Sequence, residues 1–368
     1  MKKYYFLLSI IFFLAIEAIA QYKFTPEVQI PCTTVKSQDN TGTCWSFSTI
    51  SFLESELIRM GNHPDDLSEM FIVRNTYKDK AQNYLFRQGK ANYSEGSLSH
   101  DVMRALKKHG IVPEAIYSGK LKPDTIHNHG KLLTESKKLL DGYLKNKKGL
   151  TTWRADYEKV LTKHIGSVQE EFIYLDKNYT PLTYAKSLGI NPDDYVTLTS
   201  YTHHPFYEPF ILEIPDNYSN GSYWNIPLDE LMTVINSALR KGYTIAWDGD
   251  VSEKSFSARS GIAVLPEKEK RKDLFDIPSE EIKVNQALRQ ETFENFSTTD
   301  DHLMHLVGIA KDQNGTIYYI TKNSWGKISD FEGYLMMSEA FVQLKTVGIM
   351  VHRESIPVEI IEKLRIEN

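Results

Sequence analysis

Cysteine is almost missing: Cys32 and Cys44 are the two cysteines in 368 residues. Two thiols cannot build a disulfide framework, so the fold must rest on a buried core, and at least one thiol is a candidate for chemistry. An excess of positive charge is missing too. The 43 Lys and Arg face 48 Asp and Glu, a net charge of −5, which gives no electrostatic footprint for nucleic acid. Beyond the first twenty residues no apolar run is long enough to span a bilayer. No repeat of solenoid period occurs. What remains is an ordinary globular composition, 41% hydrophobic and 25% charged, sized for one large domain or two medium ones.

The chain opens MKKYYFLLSIIFFLAIEAIAQ. Lys2 and Lys3, an apolar run and the small-residue site Ala18-Ile19-Ala20 form the pattern of a secretory signal. A membrane anchor is the alternative, but the run is short and Glu17 closes it. The expectation is a signal peptide at 1–20 and an exported domain at 21–368, periplasmic in a Gram-negative host and otherwise secreted. Gln21 is not a cysteine, so lipid attachment there is not indicated.

Periodicity divides the rest. Phe47, Ile50, Leu53, Leu57 and Met60 recur at helical spacing after Trp45, with Gly61 as a stop. Further helices are expected after Asp66, over Leu98 to His109, and through Leu132 to Leu188. In that last stretch Leu132, Ser136, Leu139, Leu140 and Tyr143 share one face, and Tyr157, Val160, Leu161, His164, Val168 and Phe172 another. From Tyr195 strands dominate: Tyr195–Ser200, Phe210–Ile214, Tyr243–Trp247, His302–Ala310 and Thr316–Lys322, with a helix over Pro227–Arg240. A mixed-charge loop is expected at Pro266–Asp273. Helices first and strands second imply an α+β fold.

The chemical signal begins at Cys44, directly before a helix. The positive end of the helix dipole is expected to lower the thiol's pKa. A thiolate nucleophile needs a base, and the base needs an orienting partner. His302 opens a strand and Asn323 follows the next one, joined through Asn314-Gly315, a hairpin signal. A simple two-residue turn would set Asn323 opposite position 306. That is the right face but four residues from His302, so a bulge or bend must close the gap.

These residues resemble the papain-like cysteine peptidases. The blocks are Gln38, Cys44-Trp45, His302 with Gly308, and Asn323-Ser324-Trp325-Gly326. Leu67-Ser68-Glu69 and Ser94-Glu95-Gly96-Ser97 sit where that family has a helix start and a glycine-rich substrate rim. The resemblance implies a two-lobed fold, with a helical left lobe and an antiparallel, β-barrel-like right lobe. It also implies roles. Cys44 would be the nucleophile and His302 its acid–base partner. Asn323 would orient His302, and Trp325 would shield that bond. Gln38 and the Cys44 N–H would form the oxyanion hole. Glu95, Gly96, Ser97 and Trp325 would border the substrate.

Two departures narrow the branch. His302 lies 258 residues after Cys44, against about 130–150 in papain relatives. The surplus falls at about 120–195, expected as a helical insertion, and in the charged stretch near 252–298. Only 23 residues separate Ala20 from Cys44, and Thr41 stands where a disulfide cysteine is usual. This looks like the bleomycin hydrolase and bacterial cysteine aminopeptidase branch, which lacks a pro-domain and disulfides. That branch uses a C-terminal arm in its own cleft to restrict cleavage to free N-termini. Here the segment Ile360 to Asn368 reads as short for such an arm, which leaves an open-cleft endopeptidase as the alternative. A non-catalytic peptide-binding homologue is a second alternative.

Other residues have simpler readings. Cys32 is a small buried hydrophobe or a partner for Cys44. His305 competes with His302 as base, but its odd spacing puts it on the other strand face. His203-His204 reads as a polar pair with no metal-ligand spacing around it. Glu95-Gly96-Ser97 is either a substrate rim or a helix-capping loop. Asp248 and Asp250 either hold a substrate N-terminus or cap a strand, with capping favoured. The implied partners are peptides. No cofactor, metal, nucleic acid or stable membrane insertion is expected, and a homo-oligomer stays open.

Overall fold

The computed structural model describes residues 21–62, 65–146, 151–268 and 272–366. The segment 1–20 lies outside the described residues, as does the centre of the charged loop, 269–271. After β1 (Thr25–Gln29) come α1 (Cys44–Arg59), α2 (Glu69–Phe86) and α3 (Ser99–His109). Ile50, Phe52, Leu53 and Leu57 of α1 are buried, each worth about 1.5–3 kcal/mol relative to exposure. Ser68 caps α2 by accepting from the Phe71 N–H. α3 stops at Gly110, whose φ is +78° and whose missing Cβ makes room for the backbone of Pro181.

α4 (Gly130–Asn146) and α5 (Trp153–Ile165) follow, burying Leu132, Ser136 and Leu140 on one and Tyr157, Leu161 and Ile165 on the other. The helical expectation fails beyond them. Gly166, with φ +77°, ends α5, and Phe172 enters a hairpin of β2 (Phe172–Tyr174) and β3 (Lys177–Tyr179). Leu175 and Asp176 both take positive φ at its turn, the geometry a two-residue hairpin needs. Apolar spacing did not separate this aromatic hairpin from a helix, because Phe172 and Tyr179 bury against Tyr184 either way. Thr180 then caps α6 (Pro181–Ser187) with a capping box.

The second half holds β4 (Tyr195–Thr199), β5 (Pro209–Ile211), β6 (Ser222–Asn225), α7 (Leu228–Arg240), β7 (Ile245–Gly249), β8 (Phe256–Ser257) and β9 (Ile262–Ala263). It closes with α8 (Gln286–Glu294), β10 (His302–Lys311), β11 (Ile317–Lys322), β12 (Tyr334–Ser338), α9 (Glu339–Lys345), β13 (Thr346–His352) and α10 (Val358–Leu364). The strands run β5-β6-β4-β13-β7-β10-β11-β12-β9-β8, with β1 paired to β10. This sheet is open. β5 and β8 end the row without meeting, so the right lobe is not a closed barrel.

Alternation assigns the two faces of the sheet. On β7, Ala246 joins the core under α1–α6, while Ile245 and Trp247 join the core under α7, α9 and α10. α1 packs against β10, so the helical lobe and the sheet meet along the line where Cys44 and His302 begin their elements. α10 packs in the second core through Ile360 and Leu364, and Lys363 pairs with Glu230 of α7. Among the described residues no helix is long and apolar enough to cross a membrane.

Candidate active site

Cys44 is the first residue of α1, and no acidic side chain sits in that helix's first turn. Thr43 precedes it without a side-chain cap, so the helix dipole faces the thiol. Burial nevertheless dominates. Cys44 is 8% exposed. Desolvation pushes its thiol up to about 12, helped by Asp248, Asp300 and Asp216 and opposed by the Leu303 backbone. The expected lowering of this thiol by the helix end therefore does not hold. One helix end is too weak to offset removal from water.

His302 and Asn323 come together by a two-part slip. The hairpin loop is one residue longer than a two-residue turn, so Lys311 pairs with Ile317. A bulge at Val307 adds a second step, after which Leu306 pairs with Thr321 and His305 with Lys322. Asn323 is then next in line opposite Met304, two residues from His302 on the same face. The remaining gap closes where β11 ends. His302 Nε2 lies 2.7 Å from Asn323 Oδ1, both residues buried. Trp325 covers them, its ring centred 4.6 Å from the imidazole. Burial drags His302 down to about 4, and the Asn323 bond pulls weakly the other way.

Burial thus opposes an isolated thiolate and an isolated imidazolium alike. The two charges are affordable only together, as a proton passed from Cys44 to His302. His305 is elsewhere: it is fully buried, with Nδ1 2.9 Å from Ser51 Oγ of α1.

Gln38 is fixed at both ends of its amide. Its Oε1 accepts from Ser324 Oγ at 2.7 Å, and its Nε2 donates to the Thr41 carbonyl at 2.6 Å. An amide nitrogen carries two hydrogens, so one N–H is left to direct at an oxyanion. The fold therefore gathers Gln38, Cys44, His302, Asn323 and Trp325.

The rim residues fare differently. Glu95 binds the loop before α1: its Oε2 accepts from the Gly42 N–H at 2.7 Å, and its carbonyl accepts from Trp45 Nε1 at 2.9 Å. Ser97 is 1% exposed and donates to Asp101 of α3, which removes it from the substrate border. Gly96 is half-buried, and a carboxylate oxygen of Asp216 occupies the space a Cβ would need. Its carbonyl accepts from Lys80, a buried cation lowered to about 8 by desolvation.

Two other expectations shift. Asp250 is a cap, accepting from Ser252 and the Thr299 N–H and pairing with Lys345. Asp248 is not: it is 3% exposed and neither carboxylate oxygen meets a donor. His203 and His204 both reach Glu213, at 3.3 and 2.8 Å. The three can offer metal ligands within 4.8 Å of one another. Glu213 is close through the fold of the β4–β5 connection, which local spacing does not reveal. Cys32 and Cys44 are both free thiols, and Cys32 Sγ lies 3.3 Å from the Tyr334 hydroxyl.

A helical lobe carrying the cysteine, set against a sheet that carries the histidine and asparagine and is antiparallel except at the β4–β6 and β9–β12 pairs, is the papain-like fold of cysteine peptidases. The chain belongs to the Peptidase C1-like family, which matches residues 74–368. It is 22% identical to an aminopeptidase G of Lactobacillus delbrueckii subsp. lactis, over 89% of this chain and 82% of that one. It is 21% identical to the bleomycin hydrolase of Homo sapiens, over 95% and 86%. The crystal structure of pepw from Lactobacillus rhamnosis superposes with a TM-score of 0.71, covering 93% of this chain and 84% of that one at 19% identity.

Proposed function

We infer that this chain is an exported cysteine aminopeptidase of bleomycin hydrolase type, acting through Cys44, His302 and Asn323. The peptide carbonyl carbon is attacked by Cys44 Sγ as its proton moves to His302. The oxyanion is met by the Cys44 N–H and the second N–H of Gln38 Nε2. His302 then returns the proton to the departing amine, the C–N bond breaks, and a thioester remains. Water attacks the thioester with His302 taking its proton, and the C–S bond breaks to release the acid. Asn323 keeps the imidazole in the plane that both transfers require.

The observation that carries exopeptidase action is the state of Gly96. In an open papain-like cleft a glycine-rich rim is available to substrate backbone. Here its carbonyl serves Lys80 and its open face is filled by Asp216. A chain extending beyond the residue at the scissile bond would have to displace Lys80 and Asp216 to use that rim. The family relatives named as aminopeptidases support the same reading. The leading segment with Lys2, Lys3 and Ala18-Ile19-Ala20 supports export, with Gln21 expected as the mature N-terminus.

The test compares alanyl-methylcoumarin amide with an N-acetylated peptide amide. The free aminoacyl substrate is expected to be strongly preferred, and Cys44→Ala to abolish its hydrolysis. A preference for the blocked peptide would establish an endopeptidase instead. Turnover surviving in Cys44→Ala would remove the thiol mechanism.

A further inference from the structure

Asp248 has no structural task that would explain its place. It lies on β7, a strand between two others, paired with Leu303 on one side and Gly348 on the other. It is 97% removed from solvent by its 3% exposure, and both carboxylate oxygens lack a hydrogen-bond donor among the described residues. A buried carboxylate left in this state is costly unless something else satisfies it. Its near neighbour is another acid: the Asp300 carboxyl is within hydrogen-bonding reach, and Asp300 Oδ2 is also sealed from water without a donor.

The location of the pair is informative. Leu303, the cross-strand partner of Asp248, is the residue whose backbone faces Cys44 Sγ. Asp300 stands two residues before His302. Both carboxylates act electrostatically on the Cys44 thiol, as does Asp216 from the loop over Gly96. Asp216 is held there by Asn92 Nδ2 and Ser94 Oγ, each 3.1 Å from its Oδ1. Three acids from three separate segments thus converge beside the nucleophile. The nearby cation is Lys80, and its Nζ is committed to Gly96 and Ser94.

A metal ion does not suit them. Among the described residues, the one trio of metal-type ligands drawn within 4.8 Å is His203, His204 and Glu213. A charged amine does suit them, since an ammonium brings both donors and a positive charge, which favours the ionised, acceptor-only form of the pair. In a peptide with a free N-terminus, the α-nitrogen is two bonds from the first carbonyl carbon. Placing that carbon at Cys44 Sγ puts the ammonium beside the thiol, on the side closed by Gly96 and Asp216.

We propose that Asp248 and Asp300 bind the free α-ammonium of the substrate's first residue, with Asp216 closing the subsite and adding to its negative field. An in-cleft ion pair thereby selects N-termini. The proposal rests on the aminopeptidase reading above and supplies its specificity element. The subsite fits the raised carboxyls: burial and the nearby Asp216 lift Asp300 to about 7, and burial beside Asp300 raises Asp248 well above the usual carboxylate range.

The test measures kcat/KM for alanyl- and propionyl-methylcoumarin amides, which differ by the amino group alone. The wild type is expected to favour the alanyl compound by at least about 100-fold. Asp248→Asn, which keeps size and removes charge, is expected to shrink that ratio by roughly 10- to 100-fold, with Asp300→Asn acting in the same direction. An unchanged ratio in a folded Asp248→Asn overturns the proposal. If that variant does not fold, a folded Asp300→Asn decides by the same ratio. Alanyl chloromethyl ketone is expected to alkylate Cys44 far faster than its N-acetyl derivative, and equal rates overturn the proposal. The aminopeptidase reading fails separately, when the wild type prefers the N-acetylated peptide amide; a wild type that keeps its preference for the free amine while Asp248→Asn leaves the ratio unchanged overturns the proposal alone.

Discussion

His302 Nε2 and Asn323 Oδ1 stand 2.7 Å apart because the hairpin between them is out of step by two residues, one from its loop and one from a bulge at Val307. A straight ladder would leave them too far apart for any hydrogen bond. The arrangement makes the orienting bond depend on irregularity in an otherwise regular strand pair. Asn323→Ala should therefore act on the chemical step. The expected result is a fall in kcat of roughly 100-fold, the lower end of what a positioned acid–base group contributes, with KM nearly unchanged. Steady-state kinetics on an aminoacyl amide would check it, and equal loss in KM would point to a disrupted cleft instead.

The pH dependence of Cys44 reactivity follows from the opposed shifts. Proton counting treats the thiol–imidazole pair and the thiolate–imidazolium pair as one state. Adding a proton to that state requires protonating His302, held near 4 by burial. Removing one requires ionising the thiol, pushed up to about 12. The rate of alkylation by iodoacetamide should accordingly be flat from about pH 5 to 9 and fall by half near pH 4. Stopped-time labelling with intact mass readout would measure it. An acid limb at pH 6 or above would mean that His302 is better solvated than its burial indicates.

Much of this site was legible in the chain before folding, and the part that was not has a physical reason. Helical spacing after Trp45 and the Asn314-Gly315 turn placed Cys44 at a helix start and set His302 and Asn323 on adjoining strands. Side-chain parity separated His302 from His305. The gap between His302 and Asn323 demands a bulge or bend, but its position at Val307 is invisible in the sequence, since any residue of a continuous apolar run can bulge. Burial was equally hidden: the dipole acting on Cys44 can be read locally, whereas its desolvation is made by the opposite lobe. Ser97 and Gly96 looked alike as rim residues until Asp101 and Asp216, distant in sequence or across a helix turn, claimed them. Asp248 and Asp250 alternate on a strand end, and only the fold shows that one is satisfied and the other is not.

Gln38 should matter to the transition state more than to binding. Its carbonyl end is held by Ser324 and one N–H by Thr41, so the second N–H is preorganised. Gln38→Ala is expected to lower kcat by roughly 10²- to 10³-fold, as for loss of one oxyanion donor. Ser324→Ala, which frees the amide to rotate, should cause a smaller loss in the same constant. A Gln38→Ala enzyme with normal kcat would assign the oxyanion to other donors.

Asp248 should cost stability in return for its proposed use. Its carboxyl titrates well above the usual value because it is buried, beside Asp300 and without a donor. Above the unfolded carboxyl's pKa near 4, the unfolded chain releases this proton while the folded chain keeps it. Stability therefore falls as pH rises through that interval and toward the folded pKa. Asp248→Asn removes the titration and keeps the volume, so the variant should melt higher than the wild type, and the gap should widen from pH 5 to pH 8. Each kcal/mol relieved should appear as a rise of about 2–4 °C in Tm. Differential scanning fluorimetry at the two pH values checks this. A variant that melts lower at both would mean that the carboxylate has a stabilising partner in solution.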